Sequence, residues 1–342
     1  EVDLVSGTAG RMAFLDDLEA ALEDRRAARL SGEAPRVTVD DALRRRTFEL
    51  LPAGGLEGRT RAMLKVEDCS YCIIPYARGP IRSLSIQSAE EECRRLGAEG
   101  YREVVLTGIE ISSWGAERRD GSSLIDLVEG VCRALPADVR VRLGSLEPRT
   151  VTEEFCRRAA ALPNLCPHFH LSMQSGCDSV LQRMNRKYDT ARYYESVRLL
   201  REYFDHPGIT TDLIVGFPGE TEEEFQSTLA FVEQCAFSAM HIFPYSRRTG
   251  TPAARMPGQV HNAVKEERAH RAGALARRLE EAYLDGWVGQ TLPVLFEEEK
   301  DGLWRGHAPN YVEVLATGTD LHNAEREVRI LRREGNRLLG EV

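Results

Sequence analysis

Residues 211–235 read TDLIVGFPGETEEEFQSTLAFVEQC. The apolar run 211–215 has the length of a strand, and Gly216-Phe217-Pro218-Gly219 interrupts it with turn-forming residues. Thr221 followed by Glu224 matches a capping box, and Glu222 and Glu223 suit the positive end of a helix. The periodic stretch 222–235 then predicts that helix. A strand, a glycine-rich turn and a helix make one βα unit. The same alternation extends on both sides, from residue 61 to residue 282. Apolar runs at 62–66, 103–106, 139–143, 168–171, 211–215 and 239–243 alternate with helical patterns at 88–96, 124–135, 153–162, 191–204 and 222–235. Such an order predicts α/β architecture with parallel strands and right-handed crossovers. About six units suit a partial (β/α)6 barrel better than a closed eight-fold one. Ligands are expected where the βα loops converge, at the C-terminal ends of the strands.

Downstream, a charged helical stretch at 262–283 leads to Gly286-Trp287-Val288-Gly289. Short strand-like pieces follow at 291–296, 303–307, 311–315, 327–331 and 337–341, punctuated by glycine, which predicts a small antiparallel β-barrel. The first sixty residues fit neither pattern. A short apolar strand at 2–5, an amphipathic helix near 12–23 and a polar linker near 31–35 read as the tail of another α/β domain. The chain therefore divides into a domain tail (1–30), a linker (31–60), the partial barrel (61–284) and the small barrel (285–342).

Hydrophobic residues make up 42% of the 342 residues and charged residues 29%, ordinary for a soluble globular protein. No run of about eighteen apolar residues occurs, and residues 1–10 lack a signal-peptide pattern, so a cytoplasmic protein with no membrane partner is expected. The net charge of −9 counts mildly against nucleic acid as a partner. Basic residues nevertheless cluster at Arg183, Arg186, Lys187 and Arg192, and again at Arg247, Arg248 and Arg255. Solvated surface explains such clusters as well as phosphate binding does. Composition leaves the RNA question open.

Eight cysteines are present, and a disulfide framework does not suit a chain of this size without a secretory signal. Cys93, Cys132, Cys156 and Cys235 fall in helical patterns and read as buried thiols. Only Cys69 and Cys72 have ligand spacing, in the loop after the first barrel strand. A C-x-x-C pair serves a redox centre, a zinc site or an iron–sulfur cluster.

Six blocks sharpen that choice: CSYCIIPYARG (69–79), VLTGIE (105–110), HLSMQSG (170–176), LQRMNRKY (181–188), DLIVGFPGET (212–221) and FPYSRRTGTPAARM (243–256). In this order the chain resembles the radical S-adenosylmethionine methylthiotransferases. It is most similar to the branch acting on N6-threonylcarbamoyladenosine at position 37 of tRNA. The stretch from Trp287 onward resembles that family's TRAM domain, a small RNA-binding barrel. The resemblance covers nearly the whole chain. It implies methylthio transfer to C2 of that adenosine, with the tRNA anticodon stem-loop, S-adenosyl-L-methionine and an electron donor as partners. It also implies that Cys69 and Cys72 are metal ligands of a [4Fe–4S] cluster whose open iron chelates the cosubstrate, yielding a 5′-deoxyadenosyl radical. A second cluster in the full-length protein would deliver sulfur, and a second S-adenosylmethionine the methyl group.

Further site residues follow from the resemblance, each with a structural alternative. Gly108, Ile109 and Glu110 end the second strand, where such enzymes bind the cosubstrate's amino group; an ordinary turn is the alternative. Ser145 and Glu147 after the third strand, and Gln174 and Ser175 after the fourth, would reach ribose or methionine, or else cap loops. Arg186 would hold a carboxylate or phosphate, or a surface ion pair. Gly216 and Phe217 would let backbone approach the adenine. Met173 and Met184 read as core. For RNA, Tyr245, Arg247 and Arg248 are the candidates in the partial barrel. In the small barrel, Trp304 and Tyr311 would stack on bases, with Arg305, Arg329 and Arg333 near phosphates. Glu297, Glu298 and Glu299 leave that module not net basic, and Trp287 reads as core.

The family's cluster motif is C-x-x-x-C-x-x-C, and this chain has only its last two cysteines; a glycine, the first cysteine and the intervening residues are absent between Asp68 and Cys69. The N-terminal domain that should carry three more cysteines is represented only by its tail. Either the chain has lost its clusters, or a loop segment is absent from this sequence; the intact blocks on both sides favour the second. Within the class, the rivals methylthiolate isopentenyladenosine in tRNA or an aspartate of a ribosomal protein. Outside it stand a non-catalytic RNA-binding protein without a cluster and a zinc- or dithiol-dependent oxidoreductase.

Overall fold

A computed structural model describes residues 4–6, 14–28, 36–39, 41, 44–50, 53, 58–68, 79–108 and 110–342. Strands β1 (Leu4–Ser6) and β2 (Arg36–Thr38) pair in parallel, with helix α1 (Phe14–Ala28) between them in sequence. The tail read from sequence thus contains a βαβ unit, and the stretch assigned to the linker supplies one of its strands.

The partial barrel is built from β3 (Arg61–Lys65), β6 (Glu103–Thr107), β7 (Arg140–Leu143), β8 (Ser145–Leu146), β9 (His168–Leu171), β10 (Gly208–Val215) and β11 (Ala239–Pro244). A two-stranded antiparallel ribbon, β4 (Glu67–Asp68) and β5 (Arg82–Ser83), follows β3. The barrel strands run parallel in sequence order, β3-β6-β7 and then β8-β9-β10-β11. Gly144 joins the two sheets: β7 pairs with β6 below it, and β8 pairs with β9 above it. A Cβ there would lie 2.8 Å from the Leu106 carbonyl oxygen, so only glycine lets the strand change partners. Counting β7 and β8 as one interrupted strand gives the six-fold partial barrel expected.

Alternation decides which side chains meet the helices. In β10, Ile209, Thr211, Leu213 and Val215 are buried, whereas Thr210, Asp212 and Ile214 are part-exposed on the other face. The buried set packs under α2 (Ile86–Ala98), α3 (Leu124–Ala134), α4 (Glu153–Ala160), the short α5 (Asp178–Arg183), α6 (Thr190–Tyr203), α7 (Glu222–Cys235) and α8 (Asn262–Asp285) in one continuous core. The capping box of α7 forms as read: Thr221 Oγ1 accepts from Glu224 N–H at 3.2 Å, and Glu224 accepts from Thr221 N–H at 3.0 Å.

The last five strands, β12 (Thr291–Lys300), β13 (Leu303–His307), β14 (Glu313–Thr317), β15 (Glu325–Glu334) and β16 (Arg337–Glu341), close into a barrel in the order 12-13-14-16-15. One pairing, β14 with β16, is parallel, so the barrel is not wholly antiparallel. Leu292, Val294, Phe296, Trp304, Val314, Val328 and Leu338 fill it, with Leu284 of α8 and the partly buried Trp287 against them.

This small barrel seals the N-terminal end of the partial barrel. Arg61 at the start of β3 binds Glu103 at 2.6 Å and both Glu297 oxygens at 2.8 and 3.1 Å. Arg140 donates to the His307 carbonyl at 2.9 Å, and Arg142 to that of Pro309 at 2.8 Å. Gly208 opens β10 where a Cβ would meet the Asn310 oxygen at 2.2 Å. Burial alone would raise the Glu103 carboxyl, but Arg142, Arg61 and Arg140 bring it down to about 2.

Candidate active site

The opposite end, where the strands finish, gathers the loops picked out by motif. Gly108 follows β6 over the fully buried Glu67; a Cβ on Gly108 would lie 2.8 Å from a Glu67 oxygen. Glu110 comes next, with its Oε1 buried and without a hydrogen-bond partner among the described residues. Burial and the neighbouring Glu147 carboxylate raise its pKa to about 7, against Ser112 and the guanidiniums of Arg149 and Arg186. Glu147 is held by Arg149 at 2.7 and 2.9 Å. Glu147, Arg149 and Arg186 thus lie within electrostatic reach of Glu110 on this rim. A buried carboxylate oxygen with no donor is a natural seat for an ammonium group.

Next along the rim, the Ser145 and Ser172 hydroxyls meet at 2.8 Å. Gln174 adopts a left-handed backbone, φ 66°, and exchanges backbone hydrogen bonds with β10 through Asp212 and Ile214. Ser175 is buried, its hydroxyl spent on the Cys177 N–H and Thr228. That removes Ser175 from the ligand-facing set and makes it a turn cap. Met173 is fully buried, as read.

The turn after β10 rests on helix α8. Gly216 has φ 71°, and a Cβ there would lie 2.4 Å from Lys265 Cγ. Its N–H donates to Glu220 at 2.6 Å, and Arg268 holds the same carboxylate at 2.8 Å. Lys265 reaches across to the Tyr245 carbonyl at 3.0 Å, and the Phe217 and Tyr245 rings meet edge-on at 5.3 Å. Tyr245, expected at the RNA surface, therefore belongs to the wall beside Phe217. Lys265 and Arg268 escaped the sequence reading because α8 lies some fifty residues downstream of the turn it supports.

Cys69, Cys72 and Ile109 lie outside the described residues. Among the described residues, no cluster of three or more histidine, cysteine or acidic side chains forms a metal site. The other RNA candidates divide. Arg248 is exposed, while Arg247 donates to the Ala254 carbonyl at 2.8 Å. Trp304 is buried in the small barrel with its N–H on the Gly318 carbonyl, so it cannot stack on bases. Tyr311 lies at the seal, its ring 4.9 Å from those of both His168 and His307, with the Arg142 guanidinium 4.7 Å away. It stays 45% exposed even so, and faces the lumen floor. Arg305 pairs with Glu298, and Arg333 with Asp285. Arg329 is exposed on β15, between the exposed Arg326 and Arg332.

A six-strand parallel half-barrel with a carboxylate rim and a cysteine loop after its first strand defines a radical S-adenosylmethionine domain. The model of the radical SAM superfamily matches residues 66–232. The Bacillus subtilis protein named threonylcarbamoyladenosine tRNA methylthiotransferase MtaB is 36% identical over 335 residues, 93% of this chain and 71% of that one. The Thermotoga maritima protein of the same name is 41% identical over 267 residues, 76% of this chain and 61% of that one. A tRNA-2-methylthio-N(6)-dimethylallyladenosine synthase from Acetivibrio thermocellus is 38% identical over 229 residues, 67% and 48% of the two chains. The chain belongs to the radical SAM tRNA methylthiotransferase family.

Proposed function

We propose that this chain carries the catalytic half-barrel and small barrel of a methylthiotransferase that modifies C2 of N6-threonylcarbamoyladenosine in tRNA. One observation carries the reading: the likeness to the Bacillus subtilis protein spans 93% of the chain, through both modules. The Acetivibrio relative matches 67% of it, which places isopentenyladenosine second.

The rim suits the amino-acid end of S-adenosylmethionine. In this reading Glu110 receives the ammonium, Arg186 faces the carboxylate, and the Gly216 turn with Phe217 and Tyr245 forms the adenine wall. Gly108 leaves room beside Glu67, and the Ser145 and Ser172 hydroxyls line the path between. The small barrel closes the lower end of the lumen, so water enters it only from the rim. The thiolate set fits less well: Cys69 and Cys72 are two ligands where the family's motif has three. A [4Fe–4S] cluster with S-adenosylmethionine supplies radical chemistry when bound, and assembling one on this chain needs a third ligand. Two clusters, an electron donor and the anticodon stem-loop as substrate form part of the proposal. The exposed Arg326, Arg329 and Arg332 of β15 would meet RNA phosphates.

Nucleoside analysis of tRNA from a strain lacking the gene tests the reading. Loss of the 2-methylthio-threonylcarbamoyladenosine peak is expected, with the unmethylthiolated nucleoside rising in its place. An unchanged threonylcarbamoyl profile with loss of the methylthio-isopentenyl peak would transfer the assignment to the second reading.

A further inference from the structure

The inner face of the half-barrel carries a polar ladder that the cofactor rim does not use. Met240 and Ile242 of β11 pack against the helix-side core, so His241 and Phe243 point the other way, into the lumen. His241 sits in register with Asp212 of β10. Its ring centroid is 6.4 Å from that of His170 on β9 and 6.5 Å from that of Phe243. His170 pairs with Asp212 at 3.3 Å and with the Thr210 hydroxyl at 3.0 Å. His241 is exposed, and no hydrogen bond engages its ring among the described residues. Phe243, one step nearer the rim, is 52% exposed, unusual for a phenylalanine inside a barrel. Below this layer the lumen ends at His168, Arg142 and the Tyr311 ring of the small barrel.

Such a lumen is an open-topped cup whose middle layer holds two imidazoles, a carboxylate and a hydroxyl, with one aromatic face above them. An isopentenyl chain entering it would strip water from these groups and return no hydrogen bonds, at a cost of about 1–3 kcal/mol for each group left unpaired. A threonylcarbamoyl substituent brings an N–H, carbonyl, hydroxyl and carboxylate to the same layer. We infer that Phe243 and His241 form the specificity site of this enzyme: the adenine lies against Phe243, and His241 donates a hydrogen bond to the polar N6 substituent. Asp212, oriented by His170, accepts from the substituent's hydroxyl. This inference rests on the tRNA methylthiotransferase reading and adds the residues that choose the substrate.

The test needs binding without turnover. Dissociation constants are measured for anticodon stem-loop RNAs bearing threonylcarbamoyladenosine, isopentenyladenosine or plain adenosine, on the wild-type chain and its variants. The wild type is expected to prefer the threonylcarbamoyl loop over the isopentenyl loop by about tenfold, the worth of one hydrogen bond to a charged group. His241→Leu should lower that preference several-fold and the double variant His241→Leu/Asp212→Leu erase it, while His241→Gln, which keeps a donor, retains more of it than His241→Leu does. Phe243→Ala should weaken all three loops alike, since each carries the adenine that lies against the ring. A tenfold preference that survives His241→Leu overturns the inference. A wild type that binds all three loops equally overturns it while sparing the tRNA reading. A wild type that binds none of them overturns both.

Discussion

At the residue scale, Glu110 is the most informative side chain of the rim. Its carboxyl is raised to about 7 from the ordinary 4.5 by burial and by Glu147. A raised folded-state value means that stability is fully present below about pH 4.5 and is lost as pH climbs through 7. Glu110→Gln should therefore raise the melting temperature at pH 8 by a few degrees and change it little at pH 4.5, read by thermal unfolding at both values. The same substitution should abolish the rise in affinity for S-adenosylhomocysteine expected between pH 6 and pH 8 in the wild type. A wild-type affinity flat across that range would remove Glu110 as the ammonium seat. The sequence pointed to Glu110 through its place after the second strand. It did not point to Arg149 beside Glu110, or to Tyr245 as the wall beside Phe217, because neither residue type nor spacing marks a side chain that meets another loop. Trp304 and Tyr311 show the reverse: aromatic residues on a small barrel suit RNA stacking, yet core and interface packing use both.

At the scale of elements, the turn after β10 joins a legible local signal to an illegible distant one. The capping box and the strand-to-helix switch are written within residues 211–235, and both form as read. The support from α8 is not written there, since Lys265 and Arg268 meet the turn only after three further elements have folded. Gly216→Ala places a Cβ 2.4 Å from Lys265 Cγ on a left-handed backbone. It should cost about 1–3 kcal/mol in denaturant unfolding. The double variant with Lys265→Ala should recover the steric part of that loss, and strict additivity of the two single losses would show that the contact does not set the turn. Gly144 carries a similar lesson. Only the three-dimensional pairing of β7 below and β8 above shows why a glycine stands in mid-strand.

For the whole molecule, the partial barrel and the small barrel were legible from alternation, glycine spacing and length. How the modules join was not. The seal consists of pairs such as Arg61 with Glu297, 236 positions apart, which no local pattern encodes. Arg61, Glu103 and Arg142 look like ordinary strand charges in the sequence; Glu103 and Arg142 prove to be the buried floor of the lumen, with Arg61 part-buried beside them. Glu103→Gln removes the anionic partner of the buried Arg142 guanidinium and the part-buried Arg61, and should destabilise the protein by about 3–5 kcal/mol. Because the Glu103 carboxyl is depressed to about 2 from 4.5, its contribution is complete above pH 4.5 and is lost as pH falls toward 2. Acid titration should accordingly loosen the seal in that window, seen as a separate calorimetric transition for the small barrel; a single cooperative transition at every pH would contradict this. The central claim is methylthio transfer to a threonylcarbamoyl adenosine, and the most direct measurement is the mass of the RNA product. An anticodon stem-loop bearing that nucleoside is incubated with anaerobically reconstituted protein, S-adenosylmethionine and a reductant. Exchange of one adenine hydrogen for a methylthio group is the predicted result. Recovery of the unmodified stem-loop from protein that holds its iron and sulfide would contradict the account.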